Sequence, residues 1–411
     1  MRTTASTDPL HDHYRETPRL VRARLLAGVA VMHVAMGTAG VGISLLAIAL
    51  GADSLALGVI GTVGTVVYTG LAFTFGRLSD RGGRMILVRV APLAYAAALL
   101  AATLGKTWQH LIPIAVVTAV SMAMLWPAYM AMVAEAAPRG RLAGQIAAYN
   151  VAWCSGITVG NSLGGTFSGQ FVTLPLYVAS ALAIVVALML AGLRPGARSR
   201  DDAASDGPPD GVVPVSVHRA RALLLASWCA MFASVFGAAS LRVLFPKLAL
   251  DLEFQPAVIG LVLAALTAGQ AIMFLVLGGG AWWRYRLLPL VLVQGASAVA
   301  YVAVGLVRAP AAFGAAFAVI GAAGALAYTS SYYYGVNRAA RRGAFTGIHE
   351  AILGAGGALS PLLGGILARE VSLRLPYFVA GGVIVAAIGV EVALHGFWQR
   401  GERTRQANRD S

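Results

Sequence analysis

Twelve apolar segments, each long enough to cross a bilayer as a helix, lie between residues 24 and 397. That pattern constrains the fold more than anything else in the chain. A hydrocarbon core about 30 Å thick needs about 20 apolar residues of helix, and a helix satisfies its own backbone inside lipid. The expected class is an all-α membrane protein with twelve transmembrane helices. Hydrophobic residues make up 58% of the 411 positions and charged residues 12%, which excludes an ordinary water-soluble domain.

The one long break in hydrophobicity divides the chain. Residues 193–220 carry Arg194-Pro195-Gly196, Asp201-Asp202 and Pro208-Pro209, a composition that reads as a polar linker. The expected organisation is a tail over 1–23, a six-helix bundle over 24–192, the linker, a second six-helix bundle over 221–397 and a tail over 398–411. The formal charge is +14, yet its placement points away from nucleic acid. With the amino terminus inside, all but six of the 31 Lys and Arg (Lys106, Arg242, Lys247, Arg308, Arg369, Arg374) fall in segments on the inner side or at adjoining helix ends. This positive-inside bias places both termini in the cytoplasm of a multi-pass cell-membrane protein.

The halves repeat each other at an offset near 200. Gly37 matches Gly237, Gly156 matches Gly356, Gly164-Gly165 matches Gly364-Gly365, and Leu174-Pro175 matches Leu375-Pro376. An ordered series of this kind reads as a duplication, so the two bundles are expected to be pseudo-symmetric.

Between the second and third segments stands Gly76-Arg77-Leu78-Ser79-Asp80-Arg81-Gly82-Gly83-Arg84. In residue types, spacing and context this hairpin resembles the loop between helices 2 and 3 of the major facilitator superfamily of secondary transporters. The resemblance implies two rocking bundles around one central site. It also implies a gate formed by Gly76, Asp80, Arg81, Gly83 and Arg84 against helix 11, with Asp80 near Gly343. Segment 5 carries Gly156, Gly160, Gly164 and Gly165 with Asn161, a loosened form of the glycine series that the family's antiporters carry there. Segment 11 carries Gly356, Pro361 and Gly364. Glycines at such spacing give flat faces for close helix packing, and packing alone explains them nearly as well.

Candidate site residues are the polar groups that a membrane interior tolerates poorly. Glu350, seven residues beyond Gly343, is a carboxylate that must face the bundle interior, a partner or water; proton coupling or substrate contact on one side and a structural bond to the gate on the other are equal readings. His349 stands beside it, and Asn150 occupies its place in the first half. His33 lies on a stripe with Gly37, Gly40 and Ser44, either a ligand or a packing histidine. Arg242 can bind an anionic group or snorkel to the outer surface. Tyr129, Tyr328 and Gln270 are cavity candidates that can stack on or hydrogen-bond an organic solute.

The function expected is transport of a small, partly hydrophobic organic solute, with proton-coupled export, an antiporter, as the leading form. Import of a sugar or small organic anion is the alternative, and a lipid-handling or sensor protein on the same scaffold is the reading from another class. The expected partners are the solute, protons and membrane lipid, for a monomer without cofactor, metal or nucleic acid. The sequence holds no phosphate-binding loop, metal-ligand cluster or Ser/His/Asp set in a suitable context, so an enzyme is not expected.

Overall fold

The apolar segments become helices for the reason that makes them apolar: inside lipid, each backbone N–H must find a carbonyl within its own segment. The computed structural model describes residues 18–137, 142–193, 216–336 and 342–410. Among these are twelve long helices and no strand. They are α1 (Pro18–Ala49), α2 (Ser54–Leu78), α3 (Arg84–Ala102), α4 (Leu111–Glu135), α5 (Leu142–Ser168) and α6 (Leu174–Ala191), then α7 (Val217–Asp251), α8 (Pro256–Gly278), α9 (Leu287–Leu306), α10 (Pro310–Val336), α11 (Arg342–Glu370) and α12 (Leu375–Asp410). The tail before residue 18, nearly all of the linker and the expected seat of Asp80 beside Gly343 lie outside the described residues or side chains.

Helices α1–α6 pack into one bundle and α7–α12 into the other. Two helix pairs carry most of the junction between bundles, α5 with α8 and α2 with α11. One face of the protein carries the termini and the α2–α3 loop; the other carries the short α1–α2, α5–α6, α7–α8 and α11–α12 connections. We call them the termini face and the far face.

Some boundaries differ from the sequence expectation. Helix α1 begins at Pro18, inside the expected tail, where proline suits the first turn because its missing N–H is not needed there. Helix α12 runs on to Asp410 through residues expected to be a tail; that stretch is rich in Arg, Gln and Glu, which favour helix over coil. Eleven of the helices are apolar enough to cross a membrane by themselves, and α5 is not among them. Its Asn150, Asn161, Ser, Thr and Gly residues lower its hydropathy. It has little need of a lipid face, because α1 covers one side and α8 another.

Glycine explains how close these covers come. A methyl group at Gly156 would lie 2.5 Å from the Ala30 carbonyl and one at Gly160 2.4 Å from that of Val34, so α5 lies backbone to backbone on α1. At Gly165 it would lie 2.4 Å from the Pro256 carbonyl of α8, across the junction. The second half repeats the device. Gly356 and Gly364 seat α11 on α7, and Gly365 seats it on Ser54 and Leu55 of α2. Even Pro361 and Asn161, 200 residues apart, do equivalent work: their carbonyls receive Gly58 and Gly260 respectively.

Candidate substrate cleft

Where the bundles meet, the described hydrogen bonds lie toward the far face. Thr62 donates to the Ala358 carbonyl at 2.8 Å and Asn161 Nδ2 to that of Leu263 at 3.2 Å. Thr158 and Thr267 share a 2.8 Å hydroxyl contact, and at the rim Arg369 pairs with Asp53 at 3.8 Å. Below this seam Trp153 of α5 meets Phe274 of α8 and Tyr328 of α10, with ring centroids 6.3 and 6.2 Å away. Among the described residues, no hydrogen bond joins the bundles beyond that aromatic layer, toward the termini face.

Two charged groups mark the gap. Arg242 sits nine residues from the far end of α7, about 13 Å along its axis, next to Cys154 of the opposite bundle and Tyr301 of its own. Glu350 sits eight residues into α11, about 12 Å from its start, and its electrostatic neighbours are Tyr68, Tyr149, Tyr328 and Tyr332, drawn from α2, α5 and α10. Both side chains keep accessible surface although protein surrounds them on most sides, as residues lining a cleft between the bundles do. Neither has a hydrogen bond or ion pair among the described residues. Tyr68, Tyr149, Trp153, Tyr328 and Tyr332 are all half-buried along it. The cleft thus offers a cation toward the far face, aromatic faces along its length and a carboxylate toward the termini face, neither charge paired among the described residues.

The other sequence candidates divide. His349 turns away from Glu350 and is buried against α10, its Nδ1 2.8 Å from the Ser331 hydroxyl and its ring edge-on to Tyr328. Adjacent helical residues point in different directions, so the two do not form one site. His33 is stacked on Trp126 at 4.3 Å, with Nδ1 2.8 Å from the Val29 carbonyl; that bond puts the proton on Nδ1, inside an aromatic cluster of the first bundle. Tyr129 is fully buried and donates to the Leu25 carbonyl at 2.9 Å. It ties α4 to α1 instead of lining the cleft. Tyr129→Phe should therefore lower thermal stability by about 1 kcal/mol and leave transport unchanged, read from melting and uptake of the same preparation. Asn150 is half-buried on α5 and Gln270 buried on α8, neither with a hydrogen-bond partner among the described residues.

At the hairpin, residues 79–83 form a π-helical turn. Asp80 is exposed and pairs with Arg84 at 3.7 Å, while Arg84 also bonds Glu135 at the end of α4. Arg81 is exposed. A methyl group on Gly76 or Gly83 would make only ordinary contacts, the nearest at 3.6 and 3.5 Å. Here the hairpin is fastened to its own bundle, and neither glycine is demanded by a close approach.

The arrangement of two bundles, paired glycine seams and a central cleft can be compared with known proteins. The family model of the major facilitator superfamily matches residues 25–348 and 227–409. The chain belongs to that superfamily. It is accordingly a twelve-helix secondary transporter of a small solute in a membrane. Solved major facilitator structures share the fold at low identity. A bacterial homologue of the human lysosomal transporter Spinster, inward-facing and occupied, has a TM-score of 0.70 at 16% identity, covering 95% of this chain and 98% of that one. The nucleoside transporter NupG has 0.63 at 12%, covering 91% and 98%. The human organic anion transporter MFSD10 has 0.59 at 16%, covering 92% and 100%. No curated protein sequence matches the chain.

One residue of the second bundle escaped the sequence reading. Glu391 of α12 is 0% exposed and held by Gln294 of α9. It is the one acidic residue between 371 and 401, which was signal enough. Its counterpart at offset 200 is Ala191, so the repeat gives it no echo.

Proposed function

We propose that this transporter exports a small, partly hydrophobic organic solute carrying an anionic group, in exchange for protons taken up at Glu350. The observation that carries the reading is Arg242: an accessible guanidinium without a partner among the described residues, on the far-face side of an aromatic cleft. A guanidinium within a membrane protein stands unpaired at a cost, and a carboxylate or phosphate on the solute supplies the missing partner with charge-assisted hydrogen bonds. The aromatic walls suit an apolar body. The outward direction rests on the α5 glycine series, and the cytoplasmic placement of the termini face rests on the bias of Lys and Arg.

Matched probes test the anionic assignment. Phenylbutyrate, phenylbutylamine and phenylbutanol share one apolar body, and their binding to purified protein can be followed through the fluorescence of Trp153 in the cleft. Phenylbutyrate should bind best, and Arg242→Gln should weaken it about tenfold, roughly 1.4 kcal/mol, with little change for the alcohol. Equal or tighter binding of the amine, or no effect of Arg242→Gln, would overturn the assignment.

A further inference from the structure

The second bundle holds another titratable group, separated from the cleft. On α12, Val390 and Val392 face outward and are exposed, while Glu391 between them is completely buried. Nε2 of Gln294 lies 2.9 and 2.8 Å from the two carboxylate oxygens, so one amide nitrogen serves both. The amide's own oxygen, Oε1, is buried with no partner among the described residues.

The charged and titratable groups around the pair come from two further places. Helix α7 contributes Cys229, an electrostatic neighbour of Glu391, and Arg219, which donates to the Tyr285 carbonyl at 2.9 Å and lies over the Trp398 ring. Helix α12 contributes His395, one turn nearer the termini face and beside Arg219. None of them forms an ion pair with Glu391 among the described residues. An ionised carboxylate buried in a membrane span without a cation carries a heavy desolvation cost.

Hydrogen-bond arithmetic offers a remedy. With one proton on the carboxyl, its O–H donates to Gln294 Oε1 while Nε2 donates to its C=O. The ring so formed gives the acid O–H and the amide oxygen each a partner, leaves one amide N–H over, needs only rotation about the amide, and is neutral. We propose that Glu391 and Gln294 form a proton-binding site within the α9–α12 seam, distinct from the cleft, with His395 on its route to the termini face. Loss of the proton leaves a bare charge between two helices, with no cation paired to it among the described residues, so the seam holds best with the site occupied.

Infrared difference spectroscopy on protein exchanged into heavy water tests this without any solute, so the outcome is independent of the transport reading. At neutral pH the carboxylic-acid C=O band should be present in wild type and in Glu350→Gln, absent in Glu391→Gln, and shifted in Gln294→Leu, where the amide partner is gone. If Glu391→Gln and wild type show the same acid bands, Glu391 is ionised and the site does not exist. Should Glu391→Gln fail to fold, Gln294→Leu decides alone: a shifted band supports the site and an unchanged spectrum overturns it.

Discussion

Glu350→Gln is expected to abolish accumulation driven by a pH gradient while leaving solute exchange at zero gradient within about twofold of wild type. Glutamine keeps the size and hydrogen-bonding reach of the side chain but cannot release a proton. Glu350 has no cation to hold it charged among the described residues, and its side chain keeps accessible surface. A group so placed can gain and lose a proton during a cycle. The two assays separate its roles. Loss of both accumulation and exchange would make Glu350 a solute ligand, and loss of neither would return it to a structural part beside the gate. Reconstituted protein, a pH jump and a phenylbutyrate probe suffice.

The second large effect is conformational. Gly165→Val should open the far-face seam and shift the protein toward the opposite state. A methyl group alone would lie 2.4 Å from the Pro256 carbonyl and 2.8 Å from Gly260 Cα, both backbone atoms of the facing helix. Neither can swing aside, so α8 must retreat, and the Asn161–Leu263 bond beside it goes too. Overpacking of this kind costs roughly 1–3 kcal/mol, which shifts a two-state population by about fivefold to more than a hundredfold. Paired spin labels on the α5–α6 and α7–α8 loops would show the far face widening, with transport falling in step. Unchanged label distances would mean that the seam is not what closes this side.

Much of this architecture was legible beforehand, for reasons that differ by residue. Membrane-length apolarity forces helices, so their number and order followed from hydropathy together with the linker. Glycine series reported true backbone contacts, because close approach excludes every other side chain: Gly156, Gly160, Gly164, Gly356 and Gly364 all meet a neighbouring helix. The site was less legible. Tyr129, Tyr328 and His33 look alike as polar aromatics in apolar segments, and only helix rotation decides which faces the cleft. Tyr328 stands on it, whereas Tyr129 reaches the α1 backbone and His33 stacks on Trp126. Rotation by one residue likewise separates Glu350 from His349. Glu391 shows the converse limit. A lone acid with an amide partner more than ninety residues earlier in the chain looks like an isolated anomaly until the helices are side by side.

Helix α5 carries a consequence for how the protein is made. Among the described residues it is the one long helix whose own hydropathy falls short of a spanning segment, so a bilayer gives it little reason to stay when it emerges alone. The partner that compensates, α1, has already been synthesised by then; the other, α8, has not. Entry of α5 into the membrane is thus tied to docking with the first helix, before α8 exists to cover its other side. Substitutions that roughen the α1–α5 groove, such as Gly160→Val, strike during synthesis, and their signature is missing protein in the membrane instead of slow transport by protein that arrives.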